Sequence, residues 1–255
     1  MNFKNLHNQN SPLLICNVWD AMSAQIAEKL GFQAIGTSSA AMAAMLGYDD
    51  GEMMPFSELC MVITRITETT HLPLSVDIEA GYSRNPSEIV ENIKTLVNLG
   101  VVGINIEDSV VGYERVLIDA EVFSSTLSSI KARLQTESLD VFINVRIDVF
   151  LMEVNNPVVE AIKRIKMYEA NGANGVFVPC IEKVNDIQEI TSCSALPINV
   201  MCMPNLPDFK KLKELGVSRV SMGDFLFDNM YSHFESMLRS VVDTQSFRPV
   251  ISRCP

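Results

Sequence analysis

Residues 98–108, NLGVVGINIED, decide the fold class of this chain. Gly100 follows a segment of helical spacing, the next run is apolar, and that run closes in Glu107 and Asp108. Glycine commonly follows the last turn of a helix because it adopts a left-handed backbone without strain. A short run of Val and Ile is typical of a parallel strand buried on both faces. The stretch therefore indicates a helix, a turn and a buried strand that ends in polar side chains.

The same order recurs along the chain. Eight apolar runs, each followed by a segment with helical spacing, lie at residues 13–19, 34–39, 74–79, 102–108, 142–148, 175–180, 197–202 and 219–224. Eight strands alternating with eight helices in 255 residues predict an α/β protein with a (β/α)8 TIM-type barrel rather than an open sheet. No linker or shift of composition marks a second domain, so we predict one barrel domain over residues 1–255.

The composition limits the partners and the location. The chain has 31 acidic and 20 basic residues, a formal net charge of −11 and no Lys/Arg cluster, so we expect neither nucleic acid nor an anionic membrane as a partner. The N-terminal segment lacks the long apolar core of an export signal, and the longest uncharged stretch, residues 31–48, is too polar to span a bilayer. Six cysteines without a C-x-x-C pair then predict reduced thiols in a cytoplasmic protein.

Polar residues close most of the predicted strands. They are Asp20, Ser38, Ser39, Asp77, Glu79, Glu107, Asp108, Arg146, Asp148, Asn199 and Asp224. The C-terminal ends of barrel strands meet at one rim, where barrel enzymes place their reacting groups, so we expect these side chains to converge. Carboxylates without a neighbouring histidine or thiolate suit a hard cation, Mg²⁺ or Mn²⁺.

Asp77 and Glu79, within PLSVDIEAGY (73–82), form the most informative pair. Two residues one apart on a strand point to the same side, and like charges there are unfavourable unless they face water or share a cation. We predict that the two acids share a metal ion, partly through water. Simpler roles at helix starts or in turns remain open for Asp20, Ser38, Ser39, Asp148 and Asp224.

Four segments together resemble the isocitrate lyase/phosphoenolpyruvate mutase superfamily over nearly the whole chain. They are GTSSAAMAAMLGYDDG (36–51), VDIEAGY (76–82), GINIEDS (103–109) and NVRID (144–148). The chain is most similar to small members described as phosphonomutase-like or methylisocitrate lyase-like. The resemblance implies a (β/α)8 barrel, Mg²⁺, and small 2-oxo or 2-hydroxy carboxylic acids whose C–C or P–C bonds are made or broken. It also implies a homo-oligomer, a dimer or tetramer, in which the last helix is exchanged between subunits.

The resemblance assigns the metal site residue by residue. Asp77 matches the direct metal ligand, and Glu79 stands where many members have Asp. Glu107 matches an acid that reaches the metal through water. Asp50, the last residue of the GYDD segment, matches an acid that orders the groups around the metal and is counted with the catalytic residues.

The resemblance also assigns the substrate contacts. Ser38 and the backbone of Ser39 match the groups that hold a carboxylate and an enolate oxygen. Arg146 matches a clamp for the substrate carboxylate, a task suited to a planar two-pronged donor. Asn199, on the predicted seventh strand, is expected to contact the distal group of the substrate.

The segment after Asp108 departs from the superfamily pattern. Lyases carry a K-[KR]-C-G-H loop there and mutases a loop with Lys and Asn-Ser, whereas this chain has SVVGYERVLIDAE (109–121). We therefore expect a Mg²⁺-dependent C–C bond cleavage through an enolate, such as decarboxylation of oxaloacetate, with water, Tyr113 or Glu114 left open as the proton source. Gly112 predicts a bending lid over residues 109–118. The alternatives are a phosphonomutase or other P–C bond enzyme, a 2-methylisocitrate-type lyase, and a metabolite-binding barrel without catalysis.

Overall fold

A computed structural model describes residues 3–251 of the chain. Residues 1–2 and 252–255 lie outside the described part, and the predicted single domain over residues 1–255 stays a prediction. The strands are β1 (Leu13–Leu14), β2 (Cys16–Val18), β3 (Ile35–Thr37), β4 (Leu74–Asp77), β5 (Gly103–Glu107), β6 (Ser109–Val111), β7 (Arg115–Leu117), β8 (Phe142–Arg146), β9 (Gly175–Val178), β10 (Ile198–Met201) and β11 (Arg219–Ser221). The helices are α1 (Ala21–Lys29), α2 (Ser39–Leu46), α3 (Phe56–Thr67), α4 (Pro86–Asn98), α5 (Ala120–Thr136), α6 (Pro157–Ala170), α7 (Val184–Ser192), α8 (Phe209–Glu214), α9 (Phe225–Thr244) and α10 (Arg248–Ile251), preceded by a 3₁₀ helix over Phe3–Asn8.

One parallel sheet of nine strands forms the barrel, in the spatial order β1, β11, β10, β9, β8, β5, β4, β3, β2. The segment 13–18, divided at Ile15, closes it, because β1 pairs with β11 while β2 pairs with β3. Its two pieces occupy one strand position of the barrel, which we call a stave. The sheet therefore has eight staves, as predicted from the eight apolar runs. The predicted (β/α)8 barrel is confirmed.

The core lies between the outer face of this sheet and the ring of helices. Outward strand residues such as Ile104, Val145 and Val176 are completely buried. Helices α3 and α4 cover the sheet with apolar residues three or four positions apart, a spacing that places them on one face. Burial on both faces explains why the outward strand positions are apolar.

The interior of the barrel is polar in its middle. We call Asn17, Asn105, Asn144 and Asn199 the amide layer. The Asn144 amide donates to the Asn105 and Asn199 side-chain oxygens at 2.9 and 3.1 Å, and the Asn17 oxygen accepts from the backbone N–H of Met222 at 2.7 Å. The bond between Asn144 and Asn199 joins β8 to β10 across the intervening β9, and the other two join neighbouring staves.

The N-terminal end of the barrel is closed by the chain's first described residues. Phe3 and Leu6, from the 3₁₀ helix, pack with a small apolar cluster that contains Leu13, Ile15 and Phe142. The Phe3 and Phe142 rings meet edge to face, 5.7 Å apart between centroids. A plug of this kind covers strand ends that would otherwise face solvent.

The segment after Asp108 differs from the loop that we predicted. Residues 109–117 form an antiparallel hairpin, β6 with β7, in which Val111 pairs with Arg115. Val110 and Val116 also pair, and the branched side chains on either side of Gly112 favour this extended pairing. The predicted lid region is therefore an ordered two-stranded arm over the rim.

The long helix α9 leaves most of its apolar side chains uncovered. Phe227 is the only buried residue among its 20 residues. The exposed apolar side chains are Leu226, Met230, Tyr231, Phe234, Leu238 and Val242. Every residue of the helix after Phe227 is at least partly exposed, and its exchange between subunits stays a prediction. Among the described helices, none has the length and apolar character needed to cross a bilayer.

Candidate active site

A cavity of about 560 Å³ opens at the C-terminal rim of the barrel. Five predicted site residues line it, namely Ser38, Ser39, Asp50, Asp77 and Arg146. A larger cavity of about 740 Å³ lies at the opposite end, lined by segments that precede the strands. Barrel enzymes place their chemistry at the C-terminal ends of the strands, so the smaller cavity is the candidate site.

The turn from β3 into α2 forms one wall. Ser38 is the N-cap of α2, and its hydroxyl accepts from the Ala41 N–H at 3.3 Å. The Ser39 hydroxyl donates to Asp77 Oδ2 at 2.9 Å. The start of a helix directs free N–H groups and a partial positive charge outward, which favours an anionic group there. Ser38 thus has both the helix-start role that was left open and a place in the cavity wall.

Asp77 ends β4 at the floor of the cavity. Its backbone N–H donates to the Thr37 hydroxyl at 2.8 Å, and its Oδ1 accepts from the Glu79 N–H at 3.3 Å. Burial raises the pKa of the Asp77 carboxyl, while the Arg146 charge and the Ser39 hydrogen bond act in the opposite direction. These fixed donors hold the carboxylate in one orientation beside the cavity.

Glu79 lies behind this floor and does not line the cavity. β4 ends at Asp77, and Glu79 has a left-handed backbone with φ of 50°, so strand alternation does not apply to it. Its Oε2 accepts from the Glu52 N–H at 2.5 Å. Burial and the charges of Asp77, Asp50 and Glu107 raise the pKa of Glu79 to about 8.

Two arginines and two acids form a closed ion-pair group on the opposite wall. Glu107 lies between Arg146 Nη1 at 3.0 Å and Arg115 Nη1 at 2.5 Å. Asp148 lies between Arg146 Nε at 2.6 Å and Arg115 Nη1 at 3.1 Å, and it also accepts from the Ser109 hydroxyl. Burial alone would lower the pKa of Arg146, but these carboxylates raise it, so the guanidinium stays charged.

Arg115 is the site residue that the sequence analysis did not assign. The hairpin brings it over the cavity, where Nη2 lies 3.1 Å from Asp50 Oδ2. Val111, on the same hairpin, packs so closely on Gly51 that a Cβ there would lie 2.5 Å from the Val111 Cβ. The loop that carries Asp50 and the hairpin therefore meet above the rim.

Three acids for which simpler roles were left open, Asp20, Asp148 and Asp224, lie in different surroundings. Asp20 caps α1 in a capping box with Ser23, which confirms its helix-start role. Asp148 lies in the turn that follows β8, which confirms its turn role, and its side chain is also buried in the ion-pair group. Asp224 occupies the N-cap position of α9 without a capping bond from its side chain, and it lines the cavity.

Asn199 and the hairpin tip lie away from the cavity. Asn199 belongs to the amide layer, where its amide donates to the Ser221 hydroxyl at 3.1 Å, and it does not line the cavity. Tyr113 is fully exposed, and neither Tyr113 nor Glu114 lines the cavity. The proposed substrate contact of Asn199 stays a prediction.

The acidic residues of the site are compatible with a Mg²⁺ ion that has few direct protein ligands. Within residues 3–251, no three His, Cys, Asp or Glu side chains form a ready ligand group. Mg²⁺ commonly keeps several waters and takes only one or two carboxylates, so a single direct ligand at Asp77 is compatible with that finding. Burial first, and then the charges of Asp77, Asp50 and Glu107, raise the pKa of Glu79, so the site places several acids close together, a surrounding that favours a cation.

This fold and site define a (β/α)8-barrel enzyme of the isocitrate lyase/phosphoenolpyruvate mutase superfamily. The chain belongs to the phosphoenolpyruvate phosphomutase family, whose model matches residues 3–242. The resemblance inferred from the sequence is confirmed.

Three similar proteins show the sequence identity and coverage of this family relationship. An uncharacterised protein of Mycobacterium tuberculosis is 34% identical over 223 residues, which cover 88% of this chain and 82% of that protein. Oxaloacetate decarboxylase 1 of Pseudomonas fluorescens is 30% identical over 222 residues, with 85% and 75% covered. The crystal structure of a candidate phosphonomutase of Burkholderia cenocepacia is 33% identical, covers 93% of this chain and 97% of that one, and has a TM-score of 0.87.

Proposed function

We propose that this protein is a Mg²⁺-dependent C–C lyase that decarboxylates a small 2-oxo dicarboxylic acid such as oxaloacetate. The observation that carries the proposal is the rim cavity, where the start of α2 and Arg146 flank the buried Asp77. An anionic substrate with two adjacent oxygens suits such a cavity, because both walls offer positive charge. The 30% identical oxaloacetate decarboxylase of Pseudomonas fluorescens supports the same choice.

Asp77 would hold the metal directly, with Asp50, Glu79 and Glu107 acting through bound water. Mn²⁺ is expected to replace Mg²⁺, since both prefer oxygen ligands. The chemistry supplied by the bound cation is Lewis-acid polarisation of the substrate's oxo oxygen.

The chain's own residues would bind and orient the substrate. Ser38 and the Ser39 N–H would receive the carboxylate and the enolate oxygen at the start of α2, and Arg146 would clamp the same end of the molecule. Leu151 and Phe177 contribute an apolar side to the cavity. A leaving carboxylate placed there loses hydration, which favours its departure as neutral CO₂.

The reaction itself needs no base to begin. The bond between C3 of oxaloacetate and its carboxylate breaks, CO₂ leaves, and the electron pair of that bond passes into the enolate of pyruvate. Because Tyr113 and Glu114 do not line the cavity, water is the proposed proton source for the enolate.

The test is pyruvate formation from oxaloacetate with Mg²⁺, Mn²⁺ or EDTA, corrected for the rate with metal alone. Asp50→Asn and Asp49→Asn are a matched pair, because Asp50 lines the cavity and Asp49, also exposed, does not. We expect loss of activity with EDTA and in the Asp50 variant only. Binding of oxalate without turnover of any 2-oxo or 2-hydroxy acid would indicate a metabolite-binding barrel instead.

A phosphonomutase activity is the second candidate, favoured by the 33% identity to the Burkholderia cenocepacia structure. Phosphonopyruvate and phosphoenolpyruvate have distinct ³¹P resonances, so a single NMR time course distinguishes this reaction from decarboxylation. A 2-methylisocitrate-type lyase is disfavoured because the segment after Asp108, where such lyases carry their cysteine, has none in this chain. Cleavage of methylisocitrate faster than that of oxaloacetate would reverse this order.

We also propose a cytoplasmic homo-oligomer, a dimer or a tetramer. The exposed apolar side chains of α9 support association, because large uncovered apolar surfaces commonly mark interfaces. Cys16, Cys60, Cys180, Cys193 and Cys202 are free thiols, in keeping with a reducing compartment.

A further inference from the structure

Asp108, directly after β5, has its side chain on the outer side of the barrel wall. The side chain of Glu107, one residue earlier, faces the inside, where it pairs with Arg146. The Asp108 side chain is completely buried and contacts α6 instead. Its Oδ2 accepts from Arg164 Nη1 at 2.8 Å and from the Tyr168 hydroxyl at 2.9 Å. Two neighbouring acids thus serve opposite sides of the wall.

Arg164 and Tyr168, one turn apart on α6, hold the Asp108 carboxylate in place. Tyr168 is completely buried, and its ring packs edge to face on Phe123 with 5.0 Å between centroids. Arg164 Nε donates to Glu160 at 2.8 Å, which fixes the guanidinium from its other side. Burial alone would lower the pKa of Arg164, but the Asp108 carboxylate raises it above its ordinary value, so the guanidinium stays charged.

The second oxygen of Asp108 is linked to the inside of the barrel through the backbone. Asp108 Oδ1 accepts from the Asp148 N–H at 3.0 Å. The Asp148 side chain in turn accepts from Arg146 Nε at 2.6 Å. Arg146 is the proposed substrate clamp, so two hydrogen bonds in series connect the outer acid with the group that would hold the substrate.

The backbone of Asp108 contacts both segments that carry the arginines of the site. Its N–H donates to the Arg146 carbonyl at 3.0 Å, and its carbonyl accepts from the Ile118 N–H at 2.8 Å. Ile118 directly follows β7, the hairpin strand that begins at Arg115, and the Ile118 carbonyl accepts from Arg164 Nη1 at 3.1 Å. Asp108 therefore fixes the end of β8 and the exit of the hairpin relative to each other.

We propose that Asp108, Arg164 and Tyr168, which we call the outer support, are positioning residues that set the orientation of Arg146 through Asp148. The inference rests on the proposed role of Arg146 as the substrate clamp. Stability alone is a weak reason for a buried ion pair, because well-packed apolar side chains are often as stable. The outer support does not touch the substrate, and its effect is on how well Arg146 binds it.

Tyr168→Phe tests this role, because it removes one hydroxyl and keeps the ring. We expect the KM for oxaloacetate and the Kd for oxalate, both with Mg²⁺, to rise about five-fold with little change of kcat. Five-fold corresponds to about 1 kcal/mol, the typical net contribution of one hydrogen bond. A clamp that binds the ground state and the transition state alike changes KM and leaves kcat unchanged.

A purely structural role gives the opposite result. Loss of folded enzyme lowers the apparent kcat and leaves KM unchanged, and this outcome would overturn the proposal. Ser124→Ala is the matched control, because it removes another buried hydroxyl between α5 and α6, 3.5 Å from the Met167 carbonyl, and should retain both constants. Asp108→Asn, of nearly the same shape, is the second variant; it should show the same rise of KM and decides if Tyr168→Phe does not fold.

A double-mutant comparison tests whether the outer support acts through Arg146. In an Arg146→Lys background, Tyr168→Phe should weaken oxalate binding no further, because the contact that it positions is already lost. Additive losses in the double variant would refute this route.

The Nε–H resonance of Arg146 in ¹⁵N-labelled protein provides a readout without substrate. Its loss in Arg146→Lys assigns it. Tyr168→Phe should shift or broaden this resonance, and Ser124→Ala should leave it unchanged. An unchanged resonance in Tyr168→Phe would overturn the positioning role. A natural protein that neither binds oxalate nor consumes oxaloacetate would refute the lyase proposal, while the Arg146 resonance would still decide whether the outer support orients Arg146.

Discussion

Replacement of His7 by Phe should change how the stability of the barrel depends on pH. His7 is 5% exposed, and burial together with the Arg219 charge lowers its pKa from 6.5 to about 4. Phe keeps a planar ring against Phe142 but cannot titrate. The variant loses the hydrogen bond to the Phe3 carbonyl at every pH, so the informative quantity is the pH dependence and not the absolute stability.

The sign follows from which state binds the proton. Between the folded pKa of about 4 and the unfolded value of 6.5, the unfolded chain is protonated at His7 while the folded chain is not. Acid therefore favours unfolding, and the contribution of His7 is complete above the unfolded pKa and lost as the pH falls towards the folded one. One pKa unit corresponds to about 1.4 kcal/mol, so the whole shift amounts to about 3 kcal/mol and the loss at about pH 5 to roughly 2 kcal/mol.

Urea unfolding at about pH 7.5 and pH 5 measures this loss. Other groups also titrate in this range, so the comparison is the difference between the natural protein and His7→Phe at each pH. We expect the natural protein to lose roughly 2 kcal/mol more than the variant on acidification. His71→Gln, which removes an exposed histidine, is the control. Parallel losses in the natural protein and His7→Phe would show that His7 is not held neutral by the fold.

Four further predictions concern the site and the assembly. Asp77→Asn should abolish Mg²⁺-dependent binding of oxalate in calorimetry with an unchanged circular dichroism spectrum; retained affinity would remove Asp77 from the metal site. Arg146→Lys should weaken that binding by ~2–4 kcal/mol, or roughly thirty- to a thousand-fold, because an ammonium group cannot form a two-pronged contact, and a loss below about three-fold would contradict the clamp. Arg115→Met should lower the free energy of unfolding by ~2 kcal/mol and speed hydrogen exchange in residues 109–117, since it removes the ion pairs that hold the hairpin; unchanged exchange there would refute that role. Phe234→Asp, on the exposed face of α9, should reduce the particle mass in light scattering, and a natural protein already monomeric at micromolar concentration would contradict the oligomer.

The fold was predictable because one local signal repeats around the barrel. A helix-ending glycine followed by a doubly buried apolar run marks a stave, and eight apolar runs each followed by a helical segment are typical of a (β/α)8 barrel. Strand ends were less accurate: β4 stops at Asp77, and the left-handed Glu79 begins the next turn. A pattern of residue types does not determine the residue at which a strand ends, because that residue depends on the contacts of the loop that follows.

The site was predictable where a residue's position on a stave sets its direction. Ser39, Asp77 and Arg146 lie at or just beyond the ends of β3, β4 and β8, and all three reach the same cavity. Arg115 was missed because it enters from a hairpin whose placement depends on the contacts of Val111 with Gly51 and of Arg115 with Asp50. Such long-range contacts leave no periodic trace in the sequence, although the branched residues on both sides of Gly112 do favour a hairpin.

The division of the barrel interior by the amide layer has a consequence for adaptation. The barrel carries its structural residues at the strand starts and its site residues at the strand ends, and four of the eight staves place an asparagine between them. Substitutions at the rim, such as a redesigned hairpin or a different side chain at Cys180, alter groups that neither close the barrel nor fill its plug. A library confined to the segments after β3, β5, β8 and β9 should therefore yield many folded proteins with changed substrate preference, whereas the same number of changes beside Phe3 and Arg219 should mostly cost expression.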